Sequence, residues 1–449
     1  MTAGSLREET KAVKAILSAD DQRLAPEPNE MATVKSAGEP LRLGRREPSV
    51  RIAIVVSHPI QYFAPWYGAL AAIPEVALKV FFCCRLGAET YYDSKFGINV
   101  KWDIPLFDGY DSEFLDSRKE IRRSNFWATD NPNVGDALGK FHPQVVVVHG
   151  YAHRTVWRAV SWCNRNRIPV MLASDSNGAV KLAPWKRAAK AIIVKHFYRH
   201  LDGALSVGDN NRTYHLNYGL PEERIFAGTL PIDCNRLLAS VGDAAAARRD
   251  IRRRYGIPED AFVVIYAGKL IPLKCPLHLL QAIHNCDQRG LKVWGLLVGE
   301  GLERRRLESF LADRNVKNIV LTGFVNQSSI GMYYAASDAV ALMSEYEPKG
   351  LVVPEAGCFG CPAILSDRIG CVGPTDSARP NENALVYSWA DIEALTNCIV
   401  HLYKDQSIYR FMSEAAVRIA KSQDIAIGAQ HLADAARRLQ YLGCTANRK

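Results

Sequence analysis

Short, uninterrupted apolar runs that alternate with helical stretches constrain the fold of this chain more than any other feature. RIAIVVS at 51–57 and QVVVVHG at 144–150 are two such runs, and FVVIYAGKL at 262–270 opens a second series. A continuous apolar run is expected of a strand that is buried on both faces of a parallel sheet. Strands that alternate with helices therefore predict doubly wound α/β layers.

The alternation occurs twice, with a break near residue 232. At 449 residues the chain is also too long for one ordinary core. The expected strands of the first series lie at 51–57, 76–83, 144–150, 169–174 and 203–207, and those of the second at 262–270, 291–299, 318–324, 338–344 and 362–367. We expect two Rossmann-like domains that face each other across a cleft.

The same patterns divide the chain into four parts. We expect a disordered leader at 1–48, which is charged and poor in aromatic and β-branched residues. Domains at 49–232 and 233–420 follow, and a C-terminal helix at 421–449 is expected to pack across both. The first residues lack the apolar segment of a secretory signal, and no apolar run has the length that a bilayer requires. A cytoplasmic location is therefore expected.

The cysteines do not indicate a metal or disulfide site. Eleven cysteines are scattered through expected strands and helices, which suits reduced core thiols. Cys358 and Cys361 form a CxxC pair, but no second pair or histidine cluster lies at zinc spacing. We expect no bound metal and no cofactor.

The net charge of +9 includes one concentrated segment, KLAPWKRAAKAIIVKHFYRH at 181–200, with six Lys or Arg and no acid. A basic helix of this kind can lie on anionic lipid. It can equally be an ordinary surface helix with a buried seam, because its charges do not form one clean stripe. Both interpretations stay open here, and no nucleic-acid partner is expected.

Ligands bind open α/β sheets at the carboxyl ends of the strands, so the loops after each run are the candidate sites. Lys269 and Lys274 follow one expected strand and can together bind a diphosphate. Gly299 lies in a Gly-Glu-Gly turn after the next strand and permits close approach of a ligand to the backbone. Taken singly, each loop can also be an ordinary solvated turn.

A third loop carries two glutamates within EPKGLVVPEA at 347–356. Gly350 and Leu351 are expected to begin a helix, whose free N–H groups favour a phosphate. Glu347 precedes that helix and Glu355 lies within it, and carboxylates accept hydrogen bonds from sugar hydroxyls. The alternatives are that Glu347 is a helix-cap acid and that Glu355 is a surface charge. Together the three loops predict a site for a nucleoside-diphosphate sugar.

These segments resemble the family 4 retaining glycosyltransferases of GT-B architecture over residues 50–440. The most specific part is the spacing of Glu347 and Glu355 within EPKGLVVPEA, followed by GCPAILSD at 360–367. The resemblance implies that Lys269 and Lys274 hold the pyrophosphate of the donor, that Glu355 takes the ribose hydroxyls and that Glu347 lies against the donor sugar. Lys269 occupies a position where the family usually has Arg. Lys349 occupies a position where the family usually has an apolar residue.

The N-terminal half resembles a bacterial group of the family that opens with S-H-P-I-Q-Y, here residues 57–62. It lacks the Gly-rich turn that follows the first strand in most of the family. His58 is a candidate replacement for that turn and a candidate residue on the acceptor side. His149 matches the family's histidine near the donor sugar. Asp175 ends another expected strand and is a candidate on the acceptor side. A structural hydrogen bond is the alternative role for each histidine.

The resemblance implies transfer of a sugar to an acceptor hydroxyl with retention of configuration. The basic charge and the possible membrane helix suggest a role in cell-envelope polysaccharide or glycolipid assembly. The acceptor is expected to be a lipid-linked glycan. The chain contains no Asp-x-Asp pair, so we expect activity without a divalent metal. One alternative is a catalytically inactive nucleotide-sugar-binding partner, because the departures at Lys269 and Lys349 fall in the donor pocket. The other is a nucleotide-sugar epimerase, which uses a similar cleft.

Overall fold

The computed structural model describes residues 50–115, 126–178, 183–228 and 231–446, with side chains to residue 442. The expected leader at 1–48 lies outside the described residues. Within them, parallel strands alternate with helices in two series, which confirms the predicted α/β class with two Rossmann-like sheets. No helix in these ranges is both long enough and apolar enough to cross a bilayer.

The first half contains nine of the strands. They are β1 (Val50–Val56), β2 (Val76–Phe82), β3 (Tyr91–Asp93), β4 (Ile98–Val100), β5 (Asp111–Phe114), β6 (Val145–His149), β7 (Val170–Ala173), β8 (Gly203–Ser206) and β9 (Ile225–Ala227). Seven of them form a parallel sheet in the order β5-β2-β1-β6-β7-β8-β9. The helices are α1 (Ala64–Ala71), α2 (Val134–Phe141), α3 (Arg154–Asn166), α4 (Pro184–Tyr198) and α5 (Asp209–Asn217).

The second half has the same α/β architecture, with six strands. They are β10 (Phe262–Ala267), β11 (Val293–Val298), β12 (Ile319–Gly323), β13 (Ala339–Leu342), β14 (Ala363–Ser366) and β15 (Ala384–Tyr387), in the parallel order β12-β11-β10-β13-β14-β15. The helices of this half are α6 (Cys234–Val241), α7 (Ala244–Tyr255), α8 (Pro276–Gln288), α9 (Arg304–Asp313), α10 (Ile330–Ala335), α11 (Val352–Gly357), α12 (Ile392–Lys404) and α13 (Gln406–Lys421).

The central strands are apolar because helices cover both faces of each sheet. Every residue of β10 is buried, and six of the seven residues of β1 are buried. Odd and even residues of β10 pack in different apolar clusters, with Val263 and Ile265 on one side and Val264 and Tyr266 on the other. This arrangement explains why these strands read as continuous apolar runs.

Five short strands are not predicted by the sequence analysis. Three of them, β5, β9 and β15, lie at the edges of the two sheets, and β3 and β4 form a separate two-stranded sheet. The β5 segment reads DSEF and leaves alternate residues exposed. An edge strand has one neighbour and keeps partial contact with water, so it needs no continuous apolar run.

The antiparallel hairpin β3–β4 extends from the first half and contacts the second. The side-chain amide of Asn326 donates to the carbonyl of Lys101 at 2.7 Å. The Asp103 carboxylate accepts from the backbone N–H of Ser328 at 3.1 Å. The ring of Phe96 meets that of Phe324 edge to face, at 5.3 Å between centroids. The hairpin therefore lies across one end of the cleft between the sheets.

The last helix, α14 (Ile425–Ala446), returns to the first half of the chain. Leu432 and Leu439 pack in the same apolar cluster as Val50 and Ile52 of β1. Just before α14, the backbone of Ile425 donates to Ile232, in the segment that joins the two halves. The chain thus crosses between its halves a second time. The exact domain boundaries remain predictions.

Candidate active site

A cavity of about 670 Å³ lies where the carboxyl ends of the two sheets face each other. Seven of the ten predicted site residues line it: His149, Asp175, Lys269, Lys274, Glu347, Gly350 and Leu351. The other three, His58, Gly299 and Glu355, do not line this cavity. The sheets therefore bring together loops that the sequence analysis singled out separately.

Both lysines that follow β10 are paired with carboxylates. The Lys269 ammonium lies 2.7 Å from the Asp93 carboxylate and 4.4 Å from the centre of the Phe96 ring. Lys274 is paired with Glu347. Burial, with the neighbouring charges of Lys269 and Lys95, lowers the pKa of Lys274 to about 8. Several cations therefore gather at this point of the cavity.

Gly350 permits the sharp turn between Glu347 and α11. Its φ of +63° lies in the left-handed region, and an added Cβ would lie 2.9 Å from Cδ1 of Leu342. A larger residue here would be strained and would also meet the end of β13. Leu351 is the residue that immediately precedes α11. The helix therefore begins within two residues of the predicted position.

Glu355 is buried within α11, and the Tyr334 hydroxyl donates to its carboxylate at 2.7 Å. Burial raises the pKa of Glu355 from its ordinary value of 4.5 to about 7, although the Tyr334 hydrogen bond and the Arg236 charge oppose this. Burial also raises the pKa of the Tyr62 phenol, and the Glu355 carboxylate acts in the same direction. Tyr62 lines the cavity, so the N-terminal half covers the region of Glu355.

The two predicted histidines occupy different environments. His149 lines the cavity, and its Nε2 lies 3.2 Å from the Tyr67 hydroxyl. Burial lowers the pKa of His149 to about 4, so the imidazole is neutral at pH 7. His58 forms a 2.8 Å hydrogen bond between its Nδ1 and the Ser57 hydroxyl, and burial lowers its pKa to about 4 as well. Only His149 is placed to meet a ligand in the cavity.

Asp175 of the first half and Lys349 of the second half both line this cavity. Burial raises the pKa of Asp175, and the positive charge of Lys349 opposes this. The Lys349 ammonium bonds to the carbonyl of Val207 and the carboxylate of Asp376. Lys349 therefore links the second half to the first, and its charge is already neutralised by a carboxylate.

Gly299 has a packing role in this structure. Its φ is +147°, and an added Cβ would lie 1.9 Å from the carbonyl oxygen of Gly268. The missing side chain lets the loops after β10 and β11 approach each other closely. Whether Gly299 also contacts a donor stays a prediction.

Several residues at the site carry no signal in the sequence. Asp93 and the aromatic residues Tyr91, Phe96 and Trp102 come from the hairpin region, which lacks an apolar run. All three aromatic residues line the cavity. Within the described ranges, no group of three or more His, Cys, Asp or Glu side chains is arranged to hold a metal ion.

Residues 247–418 match the family model described as "Glycosyl transferases group 1". The D-inositol 3-phosphate glycosyltransferase of Xylanimonas cellulosilytica is 32% identical over 33% of this chain and 36% of the relative. The enzyme of the same name from Geodermatophilus obscurus is 29% identical over 49% of this chain and 51% of the relative. The chain thus spans about a third to a half of the length of the curated relatives it matches.

Solved structures of GT-B glycosyltransferases share this fold. Anabaena HepE, solved in complex with UDP and glucose, has a TM-score of 0.63 and 17% identity, over 86% of this chain and 98% of that one. Sucrose-phosphate synthase from Thermosynechococcus elongatus has a TM-score of 0.65 and 19% identity, over 88% and 100%. At these identities the likeness establishes the fold, and it confirms the GT-B arrangement of two Rossmann-like units.

Proposed function

We propose that this protein is a retaining glycosyltransferase that transfers a sugar from a nucleoside-diphosphate sugar to an acceptor hydroxyl. One observation carries the proposal. Lys269, Lys274 and Glu347 line one cavity between two Rossmann-like sheets, at the carboxyl ends of the strands. These residues also fall within the segment that matches the group 1 glycosyltransferase family. The UDP and glucose in the HepE complex support a donor of this class.

In the proposed reaction, the bond between the anomeric carbon and the diphosphate breaks, and a bond from the acceptor oxygen to that carbon forms on the same face. The departing diphosphate takes up the acceptor proton, so no protein base is required. Lys269 and Lys274 stabilise the charge that develops on the leaving group, which is commonly the largest contribution of such a site. Glu347 lies against the donor sugar, and Glu355 accepts the ribose hydroxyls. We propose no metal and no cofactor.

His149 is proposed to contact the donor sugar as a neutral imidazole. Asp175 lines the side of the cavity that belongs to the first half and is proposed to contact the acceptor. His58, which does not line the cavity, stays a proposed residue of the acceptor side. The acceptor is proposed to be a glycan of the cell envelope, linked to lipid.

Thermal stabilisation by a panel of UDP-, GDP-, ADP- and TDP-sugars tests the proposed function. We expect one donor to raise the melting temperature of the wild-type protein, and Glu355→Ala to abolish the rise. Nucleotide release from that donor is then followed with candidate acceptors, with and without EDTA. Turnover without any acceptor would favour an epimerase, and binding without turnover would favour an inactive partner. Loss of activity in EDTA that Mg²⁺ restores would contradict the proposed metal independence.

The surface of α4 supports a further part of the proposal, contact with a membrane. Val194, Phe197 and Tyr198 form the buried seam of the helix. Trp185 and Ile192, which are two helical turns apart, are 70% and 72% exposed on the opposite side. Four Lys or Arg and no acid occur within Pro184–Tyr198. An exposed apolar ridge with flanking cations suits an anionic lipid surface, so we propose that the protein binds the membrane peripherally through α4.

Co-sedimentation with vesicles tests the membrane proposal. We expect wild-type protein to bind vesicles of phosphatidylcholine with phosphatidylglycerol, and not vesicles of phosphatidylcholine alone. The double variant Trp185→Ser, Ile192→Ser should bind about tenfold more weakly, because both side chains then bury no apolar surface in the lipid. Leu302→Ser, which removes an exposed apolar residue elsewhere, is the control. Equal binding by the double variant and the control would refute the proposal.

A further inference from the structure

The hairpin β3–β4 places an acidic side chain at the proposed diphosphate site. Asp93, at the end of β3, lies 2.7 Å from the Lys269 ammonium through its Oδ2 atom. The Asp93 side chain is 12% exposed and that of Lys269 is 31% exposed, so the pair is partly shielded from water. The Phe96 ring covers the same ammonium. Asp93 therefore occupies the partner position that a diphosphate oxygen would take on Lys269.

The carboxylate of Asp93 is held by the turn of the hairpin as well as by the lysine. Its Oδ1 atom accepts from the backbone N–H groups of Lys95 and Phe96, at 2.9 and 3.0 Å. Burial alone would raise the pKa of Asp93, but Lys269 and these two amides hold it below the usual range. Asp93 is thus ionised at neutral pH, and its placement does not depend on Lys269 alone.

The two proposed diphosphate lysines differ in the origin of their partners. Lys274 pairs with Glu347, which belongs to the same half of the chain. Lys269 pairs with Asp93, which belongs to the other half and is 176 residues distant in sequence. The hairpin turn also carries Lys95, which is close enough to contribute to the lowered pKa of Lys274. The hairpin turn therefore contacts Lys269 directly and places a further positive charge near Lys274.

We propose that Asp93 is the resting counter-ion of Lys269, which a nucleoside diphosphate must displace when it binds. This inference rests on the proposed function, because it assumes that Lys269 binds the diphosphate of the donor. A ligand replaces the Asp93 carboxylate only if its own negative charge compensates the lost ion pair. A diphosphate does so better than a monophosphate, and an uncharged nucleoside does not. Asp93 therefore lowers the affinity for a phosphate ligand that takes its place on Lys269, and leaves the affinity for an uncharged nucleoside unchanged.

The other contacts of the hairpin can persist when a diphosphate replaces the Asp93 carboxylate on Lys269. Asp103, which bonds to Ser328, and the carbonyl of Lys101, which accepts from Asn326, hold the hairpin region to the second half independently of Lys269. The turn at Asp93 can retain its two backbone hydrogen bonds when the other carboxylate oxygen leaves the lysine. Asp103 is also an acidic residue at the same interface without a lysine partner at the cavity, and it provides a matched control.

The test is the affinity of Asp93→Asn for UDP, GDP, ADP, TDP and inorganic pyrophosphate, with the corresponding monophosphates and nucleosides, by isothermal titration calorimetry. The asparagine keeps an oxygen for the turn and removes the charge. We expect it to bind the preferred diphosphate about tenfold more tightly than wild type does, the monophosphate with a smaller gain, and the nucleoside equally. Asp103→Asn should leave the affinities for the diphosphate, the monophosphate and the nucleoside unchanged. Asp93→Ser, which also retains an oxygen for the turn, serves if Asp93→Asn does not fold.

The outcomes separate this inference from the proposed function. If wild type binds a diphosphate, and Asp93→Asn binds it equally or more weakly, the counter-ion role is overturned while the nucleotide site stands. A uniform gain across diphosphate, monophosphate and nucleoside would also overturn it, because a general opening of the cleft would then explain the effect. If neither protein binds any member of the panel, the proposed function fails and the inference falls with it.

Discussion

Replacing Lys274 with methionine is expected to lower the rate of sugar transfer by about 10²–10³, once the donor and acceptor are known. The lysine lies in the cavity beside Glu347, and the proposed mechanism uses its charge to stabilise the departing diphosphate. Loss of one preorganised donor to a developing charge typically has an effect of this size. The measurement is kcat/KM for the donor at saturating acceptor.

Lys292→Met is the matched control for this experiment. Lys292 also pairs with a carboxylate of the second half, that of Asp260, but both side chains are well exposed at the surface. The Lys292→Met variant should transfer sugar at the wild-type rate. Lys274→Met leaves Glu347 without its cationic partner, so the melting temperature of each variant is measured as well. A folded Lys274→Met protein with wild-type activity would contradict the assigned role.

The affinity for the nucleotide is expected to fall about tenfold as the pH is lowered from 8 to 6, because the Glu355 carboxylate must be ionised to accept the ribose hydroxyls. Its pKa of about 7 leaves it mostly ionised at pH 8 and about one-tenth ionised at pH 6. The measurement is the dissociation constant of the nucleoside diphosphate across this range. Protonation of the ligand itself contributes in the same direction, whereas protonation of Lys274, whose pKa is about 8, strengthens binding as the pH falls. Both contributions must be separated.

Glu355→Gln provides that separation, because glutamine accepts hydrogen bonds and does not titrate. Nucleotide binding by Glu355→Gln should retain only the pH dependence that comes from the ligand and from the other titratable groups. The contribution of Glu355 to folding stability has the opposite pH dependence. Since the folded pKa is raised, the native state binds more protons than the unfolded chain between pH 4.5 and 7, and the free energy of unfolding contributed by Glu355 falls as the pH rises through that window. Identical pH profiles for wild type and Glu355→Gln would refute the ribose role.

The parts of the site that the sequence predicts are those that follow directly from buried strands. Lys269 and Lys274 come after β10, and His149 ends β6, so the predicted strands also located these loops. Because ligands bind at the carboxyl ends of parallel strands, the loops were expected to converge, and the cavity confirms that they do. The short edge strands and the hairpin were missed, since they are three or four residues long and lack an apolar run.

The sequence alone determined the α/β class, the two Rossmann-like units and the loops that carry the candidate residues, because burial on both faces of a sheet imposes a pattern on neighbouring residues. Only the tertiary structure decided which charges meet. Asp93 pairs with Lys269 across 176 residues, and Lys349 pairs with Asp376 and reaches Val207 of the other half. The free energy of an ion pair depends on distance and burial in space. No local pattern in the chain encodes either quantity.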